Sequence, residues 1–310
     1  MADSMQVFDR KLVRRRRERA APGFAGADFL VRENAARLAD RLLDVTRDFP
    51  LVLDLGCHTG ALGEELTSSP KIGSLFQADL SSSMARTALA ANGRPAICAD
   101  EEFLPIAPQS LDLILSNLSL HWVNDLPGAL SQIRLALKPD GLLLATLFGT
   151  ETLKELRGEL IDAEIEIAGG MAPRVSPFTD VRDAGNLLTR AGFALPVVDA
   201  EIVTVTYSDM FKLMADLRAM GETNTVLERR RAPSRRDLFL RAAALYVQRF
   251  PGARGRINAS FQIITMTGWA PHTSQQKPLR PGSATTRLAD ALQATEVSLP
   301  EAVPLQPKKP

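Results

Sequence analysis

The chain has 310 residues but only two cysteines, Cys57 and Cys98. Two distant thiols cannot form the disulfide framework of a small secreted protein, and they lack the spacing of a zinc motif. We therefore expect a reducing compartment and no bound metal. No stretch approaches the roughly 20 apolar residues that cross a bilayer, so no membrane span is predicted. The first 19 residues also lack the apolar segment of a signal peptide.

The chain shows no excess of either charge, since its formal net charge is +1. Basic residues nevertheless concentrate in two runs, residues 11–19 and residues 229–236. Such runs contact phosphates, acidic proteins or only solvent, and a solvated helix face is the simplest interpretation. No aromatic-rich strand or recognition helix accompanies them, which argues against a nucleic-acid partner.

Short apolar runs alternate with helical patterns between residues 48 and 150. We predict strands at 51–55, 75–79, 96–99, 111–116 and 142–147, with helices between them. This alternation is typical of an α/β fold in which helices cover both faces of a parallel sheet. Ligands of such sheets lie beyond the carboxyl ends of the strands, where the strand order reverses.

The remaining regions differ in pattern from this core. Residues 1–47 read as an N-terminal helical segment that precedes the core at 48–150. Residues 151–270 are expected to complete the fold, with strands at 197–207 and 260–267 separated by a helical insertion over the sheet edge. From residue 271 to 310 the chain is polar, proline-rich and aperiodic, which predicts a largely disordered tail.

A glycine-containing turn, Asp54-Leu55-Gly56-Cys57-His58-Thr59-Gly60, follows the first predicted strand. Glycine allows positive φ and a close approach of the backbone to a ligand. Free amides at the start of the next helix bind an anion such as a carboxylate or a pyrophosphate. The pattern alone is common by chance. Asp79, after the second strand, is placed to accept hydrogen bonds from a ribose diol, although it could instead cap the following helix.

Two further loops follow strands. Asp100 and Glu101 come after the third strand, where Asp100 could accept from an adenine amino group. Asn117, His121 and Trp122 lie in the loop after the fourth strand, which would face the reactive end of a cofactor. Glu101 or His121 could act as a base. Trp122 alone would more often be a core residue.

In this order, these motifs resemble a class I S-adenosylmethionine-dependent methyltransferase. The chain is more closely similar to the mitochondrial respiratory complex I assembly factor 5 family and its bacterial relatives. That resemblance also covers segments outside the cofactor motifs, among them residues 8–10, 176–179, 220–224 and 268–269. Malonyl-acyl-carrier-protein methyltransferases are similar in what we take to be the first half only.

The resemblance implies a doubly wound, mostly parallel sheet of seven strands that binds S-adenosylmethionine. It implies hydroxylation of an arginine on a core subunit of complex I, and a location in the bacterial cytoplasm or, in a eukaryote, on the mitochondrial matrix side. A conventional methyltransferase and a non-catalytic assembly chaperone remain alternatives. Glu101 and His121 are the candidate catalytic residues. The cofactor site would be lined by Asp54, Gly56, Cys57, Gly60, Asp79, Leu80, Asp100, Glu101, Asn117 and Trp122.

One position departs from the family pattern, because His58 stands where the family has its second glycine. His58 is expected either to turn to solvent or to contact the cofactor. It could also approach His121 and, with a carboxylate, bind a non-haem iron. The N-terminal basic run is expected to fold over the crevice as a lid or to meet an acidic partner. A crevice filled by protein side chains would favour the assembly role.

Overall fold

The computed structural model describes residues 6–276, 282–283 and 285–295. A seven-stranded sheet forms its centre, in the order β3-β2-β1-β4-β5-β7-β6. Strand β7 runs antiparallel to both of its neighbours, and all other pairs are parallel. The predicted fold class is therefore confirmed. The strands are β1 (Phe49–Leu55), β2 (Ile72–Asp79), β3 (Ala96–Cys98), β4 (Leu111–Asn117), β5 (Leu137–Phe148), β6 (Ala194–Tyr207) and β7 (Ile257–Trp269).

Helices cover both faces of this sheet. Nine of them precede residue 272: α1 (Arg10–Ala20), α2 (Phe29–Leu43), α3 (Ala61–Glu65), α4 (Ser82–Asn92), α5 (Leu126–Ala136), α6 (Lys154–Ala168), α7 (Val181–Arg190), α8 (Met210–Ala219) and α9 (Arg236–Arg249). Short 3₁₀ helices follow α1 and α3 and precede α5. No helix among the described residues is both long and apolar enough to cross a membrane.

The central strands are apolar on both sides because each face packs against helices. In β4, Leu113 joins the core beneath α2 and α6, whereas Ile114 joins the core beneath α5 and α7. Alternate residues of a strand point to opposite faces, so a continuous apolar run suits a sheet covered on both sides. This burial holds the carboxyl ends of β1, β2 and β4 at one edge.

The predicted helical insertion packs on one face of the sheet. Helix α9 packs against α6, and residues of α6, α8 and α9 share one core with α2. Helix α8 of the insertion also contacts the edge strand β6. Strand β5 begins earlier than predicted, at Leu137 and not at residue 142.

The described residues from Thr273 onward belong to a second, small unit. It contains one short helix, α10 (Leu288–Leu292). Most of the predicted disorder in residues 271–310 concerns positions outside the described residues. The remaining domain boundaries stay predictions.

The N-terminal segment is anchored on the main unit. Asp9 caps α1, since its side chain accepts a hydrogen bond from the amide of Leu12. Phe8 forms an isolated bridge with Val226, and the amide of Asp9 donates to the carbonyl of Thr225. Helix α1 is thereby held across the carboxyl ends of the central strands, as the contacts of its arginines show.

Candidate functional site

The turn after β1 is built tightly. Gly56 has φ of 75° and Gly60 has φ of 90°, a backbone region that favours glycine. A Cβ at Gly56 would lie 2.1 Å from the hydroxyl of Ser119. The turn therefore leaves no free space beside Gly56. The helix after it, α3, has only five residues, shorter than the sequence pattern suggested.

Asp54, at the end of β1, is a buried carboxyl group without a partner. Its side chain is fully buried, and neither oxygen has a hydrogen-bond partner in the described part of the chain. Burial, together with the charge of Asp79, raises the pKa of Asp54 to about 8. A buried polar group without a partner is costly, and such groups with a shifted pKa concentrate at functional sites.

Arg17 of α1 occupies the centre of the acidic residues that follow β2 and β3. Its Nη1 lies 3.2 Å from Glu101 Oε1 and 3.4 Å from Asp79 Oδ2, and its Nη2 donates to Ser119 Oγ at 2.9 Å. Burial alone would lower the pKa of Arg17, but the charges of these two carboxylates raise it above its ordinary value. We call Arg17, Asp79, Glu101 and Ser119 the buried ion cluster.

Arg10, which lies seven residues before Arg17 on the same side of α1, extends this cluster. Its guanidinium donates to Asp100 and to Glu101. Burial would raise the pKa of Glu101, but the charges of Arg10 and Arg17 lower it to about 2. Glu101 is thus an ion-pair partner and a poor proton acceptor in this state.

The expected open crevice is therefore filled by the protein itself. Asp54, Asp79 and Glu101 are all fully buried. Arg17 contacts both Asp79 and Glu101, and Arg10 contacts Glu101, so a ligand reaches these two carboxylates only if the arginines withdraw. The expectation that the N-terminal basic run folds over the crevice is met by α1, although its interpretation as a solvated face is wrong for Arg17, which is 1% exposed.

Two of the predicted cofactor residues pack against this same segment. Leu80 and Trp122 share a small apolar cluster with Phe8 and Val13. The rings of Phe8 and Trp122 lie 5.3 Å apart in an edge-to-face arrangement. Such aromatic pairs add about 0.5–1.5 kcal/mol beyond the effect of their buried area. This apolar cluster therefore stabilises the position of α1.

Asp79 also binds the local backbone, but it does not cap the following helix as the alternative interpretation expected. It accepts hydrogen bonds from the amides of His58 at 3.1 Å and Ser81 at 2.8 Å. The actual N-cap of α4 is Ser81, whose hydroxyl accepts from Met84. Asp79 thus supports both the glycine turn and the start of α4.

His58 does not face solvent, which corrects one of its two expected orientations. It is 2% exposed, has φ of 49°, and its ring stacks on Phe24 with 5.5 Å between centroids. Its Nε2 lies 3.1 Å from the carbonyl oxygen of Asn117. Burial and the charge of Arg17 lower the pKa of His58, so the ring is neutral and donates to that carbonyl. The Asn117 side chain itself is engaged by Asn34 and the carbonyl of Val31.

His121 pairs with a carboxylate that the site prediction did not include. Its Nε2 lies 3.0 Å from Glu222 Oε2, which also accepts from Trp122 Nε1 at 2.9 Å. Burial would raise the pKa of Glu222, but the charge of His121 lowers it. Three metal-binding side chains do not come together anywhere in the described residues. The iron hypothesis therefore gains no support.

Cys57 contributes no reactive thiol. It is buried, and burial raises its pKa well above the ordinary value. Sequence reasoning did not identify Arg10, Arg17, Ser119 or Glu222 as site residues. The sequence signals for them were the basic run, the resemblance at 8–10 and 220–224, and the loop after the fourth strand, but their partners lie far away in the chain.

The domain and the fold of this chain are similar to those of known proteins. Residues 53–145 match the methyltransferase domain family. The fold is similar to that of phosphoethanolamine N-methyltransferase 2 from Haemonchus contortus, with a TM-score of 0.53, 14% identity, and coverage of 84% of this chain and 60% of the other. These features define an enzyme of the class I methyltransferase superfamily.

Two curated relatives place the chain more narrowly. It is 46% identical over 290 residues to the mitochondrial arginine-hydroxylase NDUFAF5 of Danio rerio, covering 92% of this chain and 89% of the relative. The malonyl-[acyl-carrier protein] O-methyltransferase of Methylovorus is 34% identical over 289 residues, covering 90% and 95%. The chain belongs to the arginine-hydroxylase NDUFAF5 family. The similarity to the O-methyltransferase extends well beyond the first half, contrary to our expectation.

Proposed function

We propose that the protein binds S-adenosylmethionine at the carboxyl ends of β1, β2 and β4 and hydroxylates an arginine on a core subunit of respiratory complex I. The relative from Danio rerio is named an arginine hydroxylase, and the methyltransferase domain match covers the carboxyl end of β1 and all of β2 and β4. The observation that carries the cofactor part is Asp54, a fully buried carboxyl group without a partner. The relative from Danio rerio is named mitochondrial, and we propose that this protein is located in the bacterial cytoplasm or, in a eukaryote, on the mitochondrial matrix side.

The side chains present have the right chemistry for this cofactor. The carboxylate of Asp54 would pair with the cofactor's ammonium group, and Asp79 would accept from the ribose hydroxyls. Asp100 or Glu101 would accept from the adenine amino group, and Leu80 and Trp122 offer apolar surface. Gly56, Cys57 and Gly60 would let the backbone of the turn come close to the methionine portion. Bound S-adenosylmethionine supplies a sulfonium group that carries an electrophilic methyl.

In this proposal the acceptor arginine of the substrate binds beside His121 and Glu222. Glu222 would hold the substrate guanidinium, and His121 would fix the carboxylate through its Nε2. Hydroxylation replaces a C–H bond of the arginine with C–OH. With dioxygen as oxidant, the second oxygen atom leaves as water, and a reductant supplies two electrons and two protons. The chain's own part is to bind, to orient and to exclude water.

The test is the intact mass of the complex I subunit after incubation with the protein, S-adenosylmethionine, dioxygen and a reductant. We expect the subunit to gain one oxygen atom, and heavy-isotope dioxygen should deliver the heavier atom. Asp54→Asn should abolish the gain, whereas Asp48→Asn, the same change at an exposed position, should retain it. An unchanged subunit mass under all conditions would overturn the proposed hydroxylation.

Methyl transfer is a second candidate, favoured by the relative named as an O-methyltransferase that matches 90% of the chain. In that case the acceptor would be a carrier protein or a small carboxylic acid. Transfer of labelled methyl from the cofactor to such an acceptor would establish it. Failure with every acceptor tested would eliminate it.

A non-catalytic assembly role is a third candidate, favoured by the arginines that fill the crevice. Calorimetry with S-adenosylmethionine, using nicotinamide cofactors as controls, separates it from the other two. If the wild-type protein does not bind S-adenosylmethionine, or if Asp54→Asn loses binding yet supports complex I assembly, the assembly role stands.

A further inference from the structure

The two basic runs of the sequence, some 210 residues apart, line one cavity of about 630 Å³. Helix α1 contributes Arg15, Arg16 and Arg19, and the loop before α9 contributes residues 229–231, all arginines. Arg174 and Arg218 complete the set. Eight of the described side chains that line this cavity are arginines, and only Glu222 is acidic. We call it the arginine cavity.

Much of this positive charge is not neutralised by the protein. Arg15, Arg19, Arg218 and Arg231 are exposed and make no ion pair with any described residue. Burial and the charges of nearby arginines lower the pKa of Arg16 to about 10. Like charges held together raise the energy of the free protein, and an anionic ligand would relieve this repulsion.

The floor of the arginine cavity is apolar. Leu156 and Leu160 of α6, Leu217 of α8 and Phe239 of α9 line it. A small inorganic anion would leave this surface in contact with water. A ligand that fits the whole cavity therefore combines carboxylates with aliphatic or aromatic groups.

The arginine cavity adjoins the proposed reactive end. Trp122 and Glu222 form part of its wall, and Glu222 lies 3.0 Å from His121. Glu222 and His58 also line a second, much smaller cavity. A chain seated in the arginine cavity can thus present a side chain to Glu222.

We propose that the arginine cavity docks an acidic segment of the protein substrate, in which aspartates or glutamates flank the modified arginine. This rests on the proposed function. A substrate guanidinium approaching the exposed arginines of this cavity is repelled, and Glu222 alone offsets little of that repulsion. Carboxylates on both sides of the target arginine reverse the sign of the interaction and pair with the exposed arginines. The acidic flanks then determine which arginine reaches Glu222.

The experiment measures fluorescence anisotropy of a labelled peptide in which glutamates and one leucine surround a single arginine. Its glutamine analogue is the matched peptide. The test variant changes Arg15, Arg19, Arg218 and Arg231 to glutamine. The control variant makes the same charge change at exposed positions elsewhere: Arg86, Arg182, Arg190 and Arg254.

We expect the glutamate peptide to bind at least about tenfold more tightly than the glutamine peptide, and the test variant to lose this advantage. Four exposed ion pairs, each of which contributes only modestly, together account for such a factor. The control variant should bind within about twofold of wild type, and added salt should weaken binding. The inference is overturned if both peptides bind equally, if both variants lose binding equally, or if inorganic phosphate or phosphatidylglycerol vesicles bind while the peptide does not. Because the readout is binding, a failed oxygen-addition assay would leave it standing.

Discussion

Replacing Arg17 with methionine is expected to destabilise the folded protein and, at the same time, to strengthen S-adenosylmethionine binding. Arg17 is the buried partner of Asp79 and Glu101. Removing one member of a buried ion pair leaves an uncompensated charge and costs about 3–5 kcal/mol. The same change removes the guanidinium that occupies the acceptors proposed for the ribose. Because the cofactor no longer has to displace it, affinity should rise at least about tenfold.

The matched control for this variant is Arg14→Met. Arg14 lies on the same helix, is half-exposed, and pairs only with Glu18 across one turn. We expect it to change the unfolding free energy by less than about 0.5 kcal/mol and to leave cofactor affinity unaltered. Urea denaturation gives the stability difference and calorimetry gives the affinity. Weaker cofactor binding by Arg17→Met would show that Arg17 contacts the bound cofactor and does not compete with it.

The pH dependence of the Arg17→Met effect follows from Glu101. Its pKa of about 2 in the folded protein lies below the ordinary value of 4.5. A lowered carboxyl pKa contributes stability that is fully present above pH 4.5 and is lost as the pH falls toward 2. The stability difference between wild type and Arg17→Met should therefore narrow in that window. A difference that stays constant down to pH 2 would contradict the ion-pair account.

The sequence predicted the framework of the site because local patterns determine it. The apolar run of β1 is followed by Gly56 and Gly60. This pattern indicates a buried strand and then a tight turn. Asp54 and Asp79 follow from their positions at strand ends, since parallel strands bring these ends to one edge. These features depend on few residues close together in the chain.

The side-chain pairs that fill the site could not be predicted in the same way. The partners of Arg17 lie 62 and 84 residues away, and a run of arginines gives no sign of which member is buried. Glu222 likewise meets His121 only through the placement of the insertion that ends in α9. Long-range pairs of this kind depend on how helices pack over the sheet, which periodicity does not encode.

His58 illustrates the limit within a single motif. Its place in the glycine turn was evident, and a histidine tolerates positive φ better than most residues. Its direction depends on Phe24, in the 3₁₀ helix after α1, on which the ring stacks. The sequence thus predicted an unusual backbone conformation and left the side chain's environment open.

Asp54→Asn is expected to stabilise the protein while abolishing cofactor binding. Burial raises the pKa of Asp54 from its ordinary 3.8 to about 8, so this group lowers the free energy of unfolding as the pH rises above 3.8. The decrease is about 1.36 kcal/mol per pH unit in this range, which amounts to about 4 kcal/mol at pH 7. Asparagine carries no charge and escapes this cost.

The measurement compares urea denaturation of wild type and Asp54→Asn between pH 4 and pH 8. The two proteins should be similar near pH 4, and the advantage of the variant should grow steadily toward pH 8. Asp48→Asn, at an exposed site, should show no such trend. Calorimetry should find no S-adenosylmethionine binding by Asp54→Asn, because the partner of the ammonium group is gone. A residue whose removal stabilises the fold but destroys binding is one retained for its ligand. If the variant instead binds the cofactor as wild type does, Asp54 is only a buried acid of the fold.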